Sequence, residues 1–408
     1  MRRLYKREAY LKKVRPFYKS DLIKVITGIR RCGKSCLLES IMQELREAGV
    51  PDNDIIYLNL DRKNYISIRK PEQLEAIIDS MVNDTDNKYL FIDEIQNVKG
   101  FEPLINAYKE EGRFSIFITG SNSYLLSGEL VTKLTGRYVE IPLFPLSFHE
   151  YLEMKRFLGK AIASMQEEFT HYLRSGGFPQ TLEFDDDLSA NYTYLMNVME
   201  QILKKDVTRN NKVRNRLAFD KVRTYFINNF GSTTNLNGIV EYLKNTGQVL
   251  LKKETLKRYL DILENAKILS KCSRFDLKLK KSLQGEEKYY LADTGLYFAG
   301  NTDERINYGP VLENVVYIYL LSKGYKVSVG RIGKLECDFI AQRDGSYCYI
   351  QVAMTIMDRE TEDREYASLE AIRDSYPKYV FTLDSLLQRR NGIKHLNLID
   401  FIANDSDL

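Results

Sequence analysis

Eight residues near the amino end, GIRRCGKS at positions 28–35, have the make-up of a phosphate cradle. Two glycines let backbone N–H groups turn inward, a lysine brings a mobile cation, and a serine offers a hydroxyl to a hard metal ion. On this reading Gly28, Ile29, Arg30, Arg31, Cys32, Gly33, Lys34, Ser35 and Cys36 surround a nucleoside triphosphate. Lys34 then reaches the β- and γ-phosphates, and Ser35 ligates Mg²⁺. About 60 residues further on, the apolar run KYLFIDEIQ ends in two acids, Asp93 and Glu94. Asp93 is expected in the Mg²⁺ shell, and Glu94 is expected to polarise the attacking water as general base. The competing assignment is that both acids merely cap the next helix. The run FSIFITGSNS closes in small polar groups, of which Ser121 and then Asn122 are the candidates to sense the γ-phosphate. A plain turn explains either one alone. Arg137, at the end of LTGR, is placed to act in trans on a neighbouring copy's nucleotide, a surface salt bridge being the alternative.

These side chains need elements to hold them. Before the cradle, LIKVI at 22–26 reads as a short buried strand. After it, Leu37, Leu38, Ile41, Met42 and Leu45 recur at helical spacing until Gly49. Strand, glycine loop and helix therefore follow in the order that phosphate binding requires. Residues 148–212 read as helices with one break at Gly176-Gly177-Phe178-Pro179, which no helix can pass through. Between 213 and 300 three amphipathic helices precede a basic two-stranded segment, the pattern of a winged helix-turn-helix. The third helix, KETLKRYLDIL, would then present Lys253, Lys257 and Arg258 to a DNA major groove. Lys271 and Arg274, with the wing lysines Lys278, Lys280 and Lys281, would meet phosphates. The alternative is a basic packing module between domains.

Composition bounds the possibilities. The chain has 408 residues, 44% of them hydrophobic and 28% charged, which suits several folded domains and not a disordered chain. No run approaches the length needed to cross a bilayer, and the basic start lacks the apolar core of a secretion signal. Five scattered cysteines and three histidines offer no zinc spacing or disulfide framework, so a cytoplasmic setting is expected. The net charge of +4 is uneven. Residues 1–24 carry nine Lys/Arg against two acids, and residues 250–281 carry ten against four. Local excess of this kind suits a polyanion, or else marks solvated helix faces.

Taken in order, TGIRRCGKS, LFIDEIQ, ITGSNS, LTGRYVEIPLFPLSFHEYL, LRSGGFPQ and ILKKD resemble a bacterial and archaeal group of AAA-superfamily ATP-binding proteins. The tail, GPVLENVVYIYL through LECDFIAQ to YCYIQVA, resembles that group's C-terminal restriction-endonuclease-like domain. The resemblance implies an α/β multidomain chain: a P-loop parallel αβα sandwich at 1–147, a helical lid at 148–212, a winged helix at 213–300 and a nuclease-like α/β domain at 301–408. It implies ATP and Mg²⁺ as cofactors, and Arg174 and Lys205 as lid residues that could touch phosphate. A nuclease of this class needs an acid on its first helix, an aspartate on one strand and Glu-x-Lys on the next. Glu313 and Asp338 fit, but Gln351 replaces the glutamate and Ala353 the lysine, while Glu365 on the following helix awaits geometry. A neutral amide is a poor ligand for a hard cation, so cleavage chemistry is expected to be lost. Three functions follow as expectations: an ATPase acting on or near double-stranded DNA, an ATP-gated protein-interaction switch with little turnover, or an ATP-regulated nuclease. A homo-oligomer is compatible with Arg137, and a membrane association is not expected.

Overall fold

In the computed structural model, residues 4–82, 88–120, 136–204, 213–247, 249–279, 281–301 and 307–408 are described. Short, nearly continuous apolar runs make the first strands, and helical periodicity makes the segments between them. In chain order these are α1 (Glu8–Val14), β1 (Ile23–Thr27), α2 (Lys34–Glu47), β2 (Ile55–Asn59), α3 (Pro71–Met81), β3 (Lys88–Asp93), α4 (Glu102–Glu111), β4 (Phe114–Thr119) and β5 (Tyr138–Pro142). They belong to a unit of residues 1–143 with 265–267.

The five strands form one sheet in the order β2-β3-β4-β1-β5, every pairing parallel. Strands buried on both faces read as continuous apolar runs, which is why β1, β3 and β4 lack alternation in sequence. On one face Ile23, Val25, Ile56, Leu58, Leu90, Ile92, Ile116 and Ile118 pack with Leu74 and Ile78 of α3 and Ile105 and Tyr108 of α4. Each such side chain contributes about 1.5–3 kcal/mol when fully buried. Elsewhere in the sheet Phe91 and Phe117 stack at 4.6 Å, and the Lys24 ammonium lies 4.5 Å from the Phe117 ring. All strands run the same way, so their carboxyl ends, and the loops after them, share one edge of the sheet.

The second unit comprises residues 144–264 and 268–408. Its helical part contains α5 (Phe148–Phe157), α6 (Met165–Ser175), α7 (Leu188–Ile202), α8 (Arg216–Asn228), α9 (Leu236–Gly247) and α10 (Lys253–Asn265). Ser147 with Glu150, and Ser164 with Glu167, form capping boxes that start α5 and α6. The double glycine ends α6: a Cβ at Gly176 would lie 1.9 Å from Asp293 Oδ1, and φ there is 75°. The Asp293 carboxylate accepts the Gly177 N–H at 2.6 Å and the Gly295 N–H at 2.9 Å.

The rest of the unit contains β6 (Leu269–Asp276), β7 (Lys281–Leu291), α11 (Gly295–Gly300), α12 (Tyr308–Ser322), β8 (Lys326–Ile332), β9 (Leu335–Arg343), β10 (Ser346–Val352), α13 (Arg359–Glu370), β11 (Lys378–Thr382), β12 (Arg389–Arg390), β13 (Ile393–Asn397) and α14 (Leu398–Ala403). Here the two-stranded segment expected as a wing has a further strand partner. The β6–β7 hairpin is the margin of one eight-stranded sheet, ordered β12-β13-β11-β10-β9-β8-β6-β7, because β6 pairs in parallel with β8. Tyr290 of the hairpin stacks on Tyr317 of α12 at 4.5 Å, and Asn314 of α12 hydrogen-bonds both the N–H and the C=O of Leu291. Ile340, Tyr349 and Val380 of the sheet pack with Tyr366 and Leu369 of α13.

Candidate nucleotide site

The cradle lies where β1 feeds α2. Gly28 (φ 154°) and Gly33 (φ 105°) hold conformations that side chains disfavour. At Gly28 a Cβ would meet the Leu143 carbonyl oxygen at 2.3 Å, so only glycine fits. Gly33 gives α2 no side-chain cap, which leaves first-turn N–H groups facing outward at the positive end of a 14-residue helix. The Lys34 ammonium, 5% exposed, folds over the loop and donates to the carbonyls of Gly28 at 3.0 Å and Ile29 at 3.3 Å. Arg7 from α1's N-cap position supports the turn from behind, donating to the Cys32 carbonyl at 3.2 Å. Cys32 and Ile29 are buried, and burial pushes the Cys32 thiol up. Arg31 and Cys36 are exposed, while Arg30 reaches Asp61 at 3.4 Å.

Asp93 closes β3 beside this loop and is fully buried. Burial raises its carboxyl above the usual range, against hydrogen bonds from the Thr119 and Ser35 hydroxyls that lower it. Asn59 Nδ2 also donates to it at 2.9 Å and Tyr57 Oη at 3.3 Å. Ser35 and Asp93, 58 positions apart, thus meet as two oxygen donors. Hard oxygen ligands of this kind fit Mg²⁺. Glu94 takes a left-handed conformation, φ 60° and ψ 46°. That turn is what lets two successive acids approach one ligand, where a straight strand would send them to opposite faces. Its N–H donates to Thr119 Oγ1 at 3.1 Å, and its carboxylate accepts from Gln96 Nε2.

Thr119, Asn59 and Gln96 were not among the expected site residues. Thr119 sits two positions before Ser121 in the same ITGSNS run. Its role depends on β4 lying next to β3, which only pairing shows. Ser121 and Asn122 lie outside the described residues, as do Lys205 and Lys280. Arg137 is 44% exposed at the side chain and 3.7 Å from Glu110. It precedes β5, whose first residue pairs with Ile23 at the start of β1. It therefore stands at the amino edge of the sheet, away from its own cradle at the carboxyl edge.

The basic amino-terminal stretch is largely engaged within its own unit. Arg15 bonds Glu8 and Glu44, Lys6 bonds Glu47 at 2.9 Å, and Arg7 and Lys24 are buried. Burial brings Lys24 down to about 7, and its Nζ donates to the Ser20 carbonyl and to Ser115 Oγ.

In the second unit Lys253, Lys257 and Arg258 line the exposed side of α10, whose Leu256, Tyr259, Leu260 and Leu263 are buried. Lys271 is exposed beside Glu287 at 3.0 Å. Arg274 departs from expectation. It is 8% exposed, bonds Glu336 and the Thr233 hydroxyl, and lies 3.2 Å from Glu286, so no face remains for a phosphate. Arg174 ends α6 with its Nε buried and without a hydrogen-bond partner.

The nuclease-like residues do converge, with a member the sequence reading lacked. Lys288 of β7 reaches Glu313 at 3.1 Å and Glu336 at 2.8 Å. Burial works against its ammonium, but Glu313, Asp338 and Glu336 hold it charged above the ordinary lysine range. Tyr290 donates to the same Glu313 oxygen at 2.9 Å. Asp338 accepts the Val352 N–H at 2.8 Å, and burial with the neighbouring Glu313 charge pushes its carboxyl well up, against Lys288. Gln351 accepts the Asp338 N–H at 2.6 Å and donates to Glu365 at 2.9 Å. An amide can do both, whereas an ionised glutamate can only accept. Ala353 is buried in the core against α13's side of the sheet. Among the described residues, no group of three or more His, Cys, Asp or Glu is arranged to hold a metal ion.

A parallel sheet ordered 2-3-4-1-5, with a glycine cradle after its fourth-placed strand and an acid pair two strands away, is the nucleotide fold of P-loop ATPases. Residues 20–152 match the AAA domain family, and residues 166–304 match a domain of unknown function. The chain is 34% identical over 398 residues to an uncharacterized protein of Haemophilus influenzae, covering 97% of this chain and 98% of that one. It belongs to the same family as that protein. An uncharacterized protein of Methanocaldococcus jannaschii is 30% identical over 362 residues, or 86% of this chain and 79% of its own length. Among solved structures, the Walker-type ATPase of Pyrococcus abyssi superposes with a TM-score of 0.50 at 16% identity, covering 74% of this chain and 98% of its own, and so shares the fold. No helix of the described residues is long and apolar enough to cross a membrane.

Proposed function

We propose that the protein is a Mg²⁺-dependent ATPase whose turnover drives its second unit, on or near DNA. The observation that carries this reading is the meeting of the Ser35 hydroxyl with the Asp93 carboxylate beside the uncapped start of α2. The loop N–H groups and Lys34 grip the β- and γ-phosphates, Lys34 exchanging its two loop carbonyls for phosphate oxygens. Ser35 and Asp93 hold Mg²⁺, which neutralises phosphate charge when bound. Glu94 takes the proton of the attacking water, while Thr119 fixes the turn that aims it. Arg137 serves a neighbouring copy, since it stands across the sheet from its own cradle. A turnover number independent of protein concentration, in wild type and Arg137→Ala alike, would contradict that role.

Calorimetry with ATP and Mg²⁺ tests the core of the proposal. Lys34→Ala should bind at least about tenfold more weakly, because charge-assisted hydrogen bonds contribute about 1.5–3 kcal/mol each. Equal affinity in the two proteins rejects the assignment. The exposed cations of α10 favour a DNA-linked activity over a protein-interaction switch, and stimulation of phosphate release by duplex DNA, lost in Lys253→Ala/Lys257→Ala, separates the two. The nuclease reading is disfavoured by Gln351, Ala353 and the neutralising Lys288. Mg²⁺- or Mn²⁺-dependent DNA cutting that Asp338→Ala abolishes would reinstate it.

A further inference from the structure

The face of the second sheet opposite α12 is only partly covered. α13 lies over β9, β10 and β11, and residues of β6 and β8 line the space beside it. A groove of about 1340 Å³ is left along the uncovered strands, larger than the ~300–1,000 Å³ usual for a small-molecule site. Register sets its floor. Lys326 of β8, Gln342 of β9 and Tyr347 of β10 stand in one row across the sheet, and Ser328, Ile340 and Tyr349 form the next. Tyr376, exposed on the loop after α13, meets Tyr347 edge to face at 5.4 Å.

Four exposed cations rim this groove: Lys278, Lys326, Lys334 and Arg373. None has an ion-pair partner among the described residues. The two acids that share the lining are already engaged. Glu370 accepts from Arg390 and Asn391, and Asp374 accepts the Tyr349 hydroxyl at 2.6 Å and the Tyr376 N–H. The groove therefore offers unpaired positive charge beside accessible aromatic rings.

From this arrangement we propose that the groove binds a single-stranded nucleic acid, its phosphates along the lysine rim and its bases against Tyr347 and Tyr376. Aromatic platforms flanked by cations recognise unpaired strands because every base has a face to stack. A duplex keeps its bases stacked on one another and offers the tyrosines nothing, so the rings select against it. The site lies within the second unit and does not rest on the nucleotide assignment.

The test uses the full-length protein and a fluorescein-labelled oligo(dT) of about 15 nucleotides, read by fluorescence anisotropy across a salt series. Wild type should bind oligo(dT) more tightly than a duplex of equal length. Tyr347→Ala/Tyr376→Ala should weaken binding by about tenfold or more at one salt concentration. Lys326→Ala/Lys334→Ala should lower the slope of log K against log salt by about 1.4, near 0.7 for each cation removed. Single Tyr376→Ala, at an exposed position, keeps the test valid should the double variant unfold. The proposal fails if oligo(dT) does not bind or if the groove variants bind as wild type. It also fails if polyglutamate of matched charge displaces the probe as well as unlabelled oligo(dT) does, which would point to an acidic protein segment.

Discussion

Replacing Glu94 with glutamine removes one proton acceptor and changes almost nothing else. Glu94 sits in a left-handed turn held by Thr119, and its carboxylate already accepts from the Gln96 amide. A glutamine of the same shape keeps a carbonyl for that bond and leaves the backbone turn in place. Lys34, Ser35 and Asp93 remain as they were, so ATP should bind with unchanged or somewhat tighter affinity, one negative charge having gone. The chemical step should suffer alone. General-base assistance contributes about 10²–10⁴ in rate, or roughly 2.7–5.4 kcal/mol of barrier. Phosphate release under saturating ATP and Mg²⁺, measured beside calorimetric binding on the same sample, resolves the two effects. Glu94→Gln should therefore trap the triphosphate state. Hydrolysis within threefold of wild type would refute the role given to Glu94. Loss of binding with loss of turnover would show instead that Glu94 belongs to the cradle.

Two further outcomes follow from buried charge in the second unit. Lys288→Met should lower stability to urea by about 3–5 kcal/mol, since Glu313 and Asp338 lose their buried counter-ion, and adding Glu313→Gln should restore part of it; an unchanged urea midpoint would mean the cluster is solvated. Asp293 gives a pH signature: burial pushes it up to about 7, against the Gly177 and Gly295 N–H groups that lower it. Between its unfolded value near 3.8 and 7 the native state holds the extra proton. Its stabilising contribution is thus complete below about pH 4 and is lost as pH rises to 7, on the order of 4 kcal/mol in all. Asp293→Asn should flatten that slope relative to wild type in a series of urea midpoints, and parallel slopes would exclude the effect.

Local chemistry was readable in the sequence, and adjacency was not. The cradle is contiguous, and its glycines, Lys34 and Ser35 carry their geometry in their spacing. The acid pair is legible because a strand ends there. Thr119 escaped because its partner strand is chosen by tertiary packing. Lys288 and Arg274 escaped together. A lysine and an arginine on a hairpin read as solvent-facing until Glu313 and Glu336, on elements tens of residues away, are seen opposite them. The amino-terminal cations were misleading in the same way, since Glu44 and Glu47 on α2 are what engage Arg15 and Lys6. The helices α8, α9 and α10 fell where periodicity put them, but the merging of the hairpin into the larger sheet depends on Arg274 meeting Val329. The groove with its tyrosine rows is likewise a product of register.

That merged hairpin limits how the molecule can be divided. Cutting the chain after residue 300, a natural choice for anyone wishing to isolate the helical module, would strip β8 from β6 and bare a row of backbone donors and acceptors along it. Lys288 and Arg274 would be stranded without Glu313 and Glu336, and Tyr290 without the ring it stacks on. Such a fragment should be sticky and poorly soluble. Expression of residues 144–408 as one piece would keep the eight-stranded sheet whole.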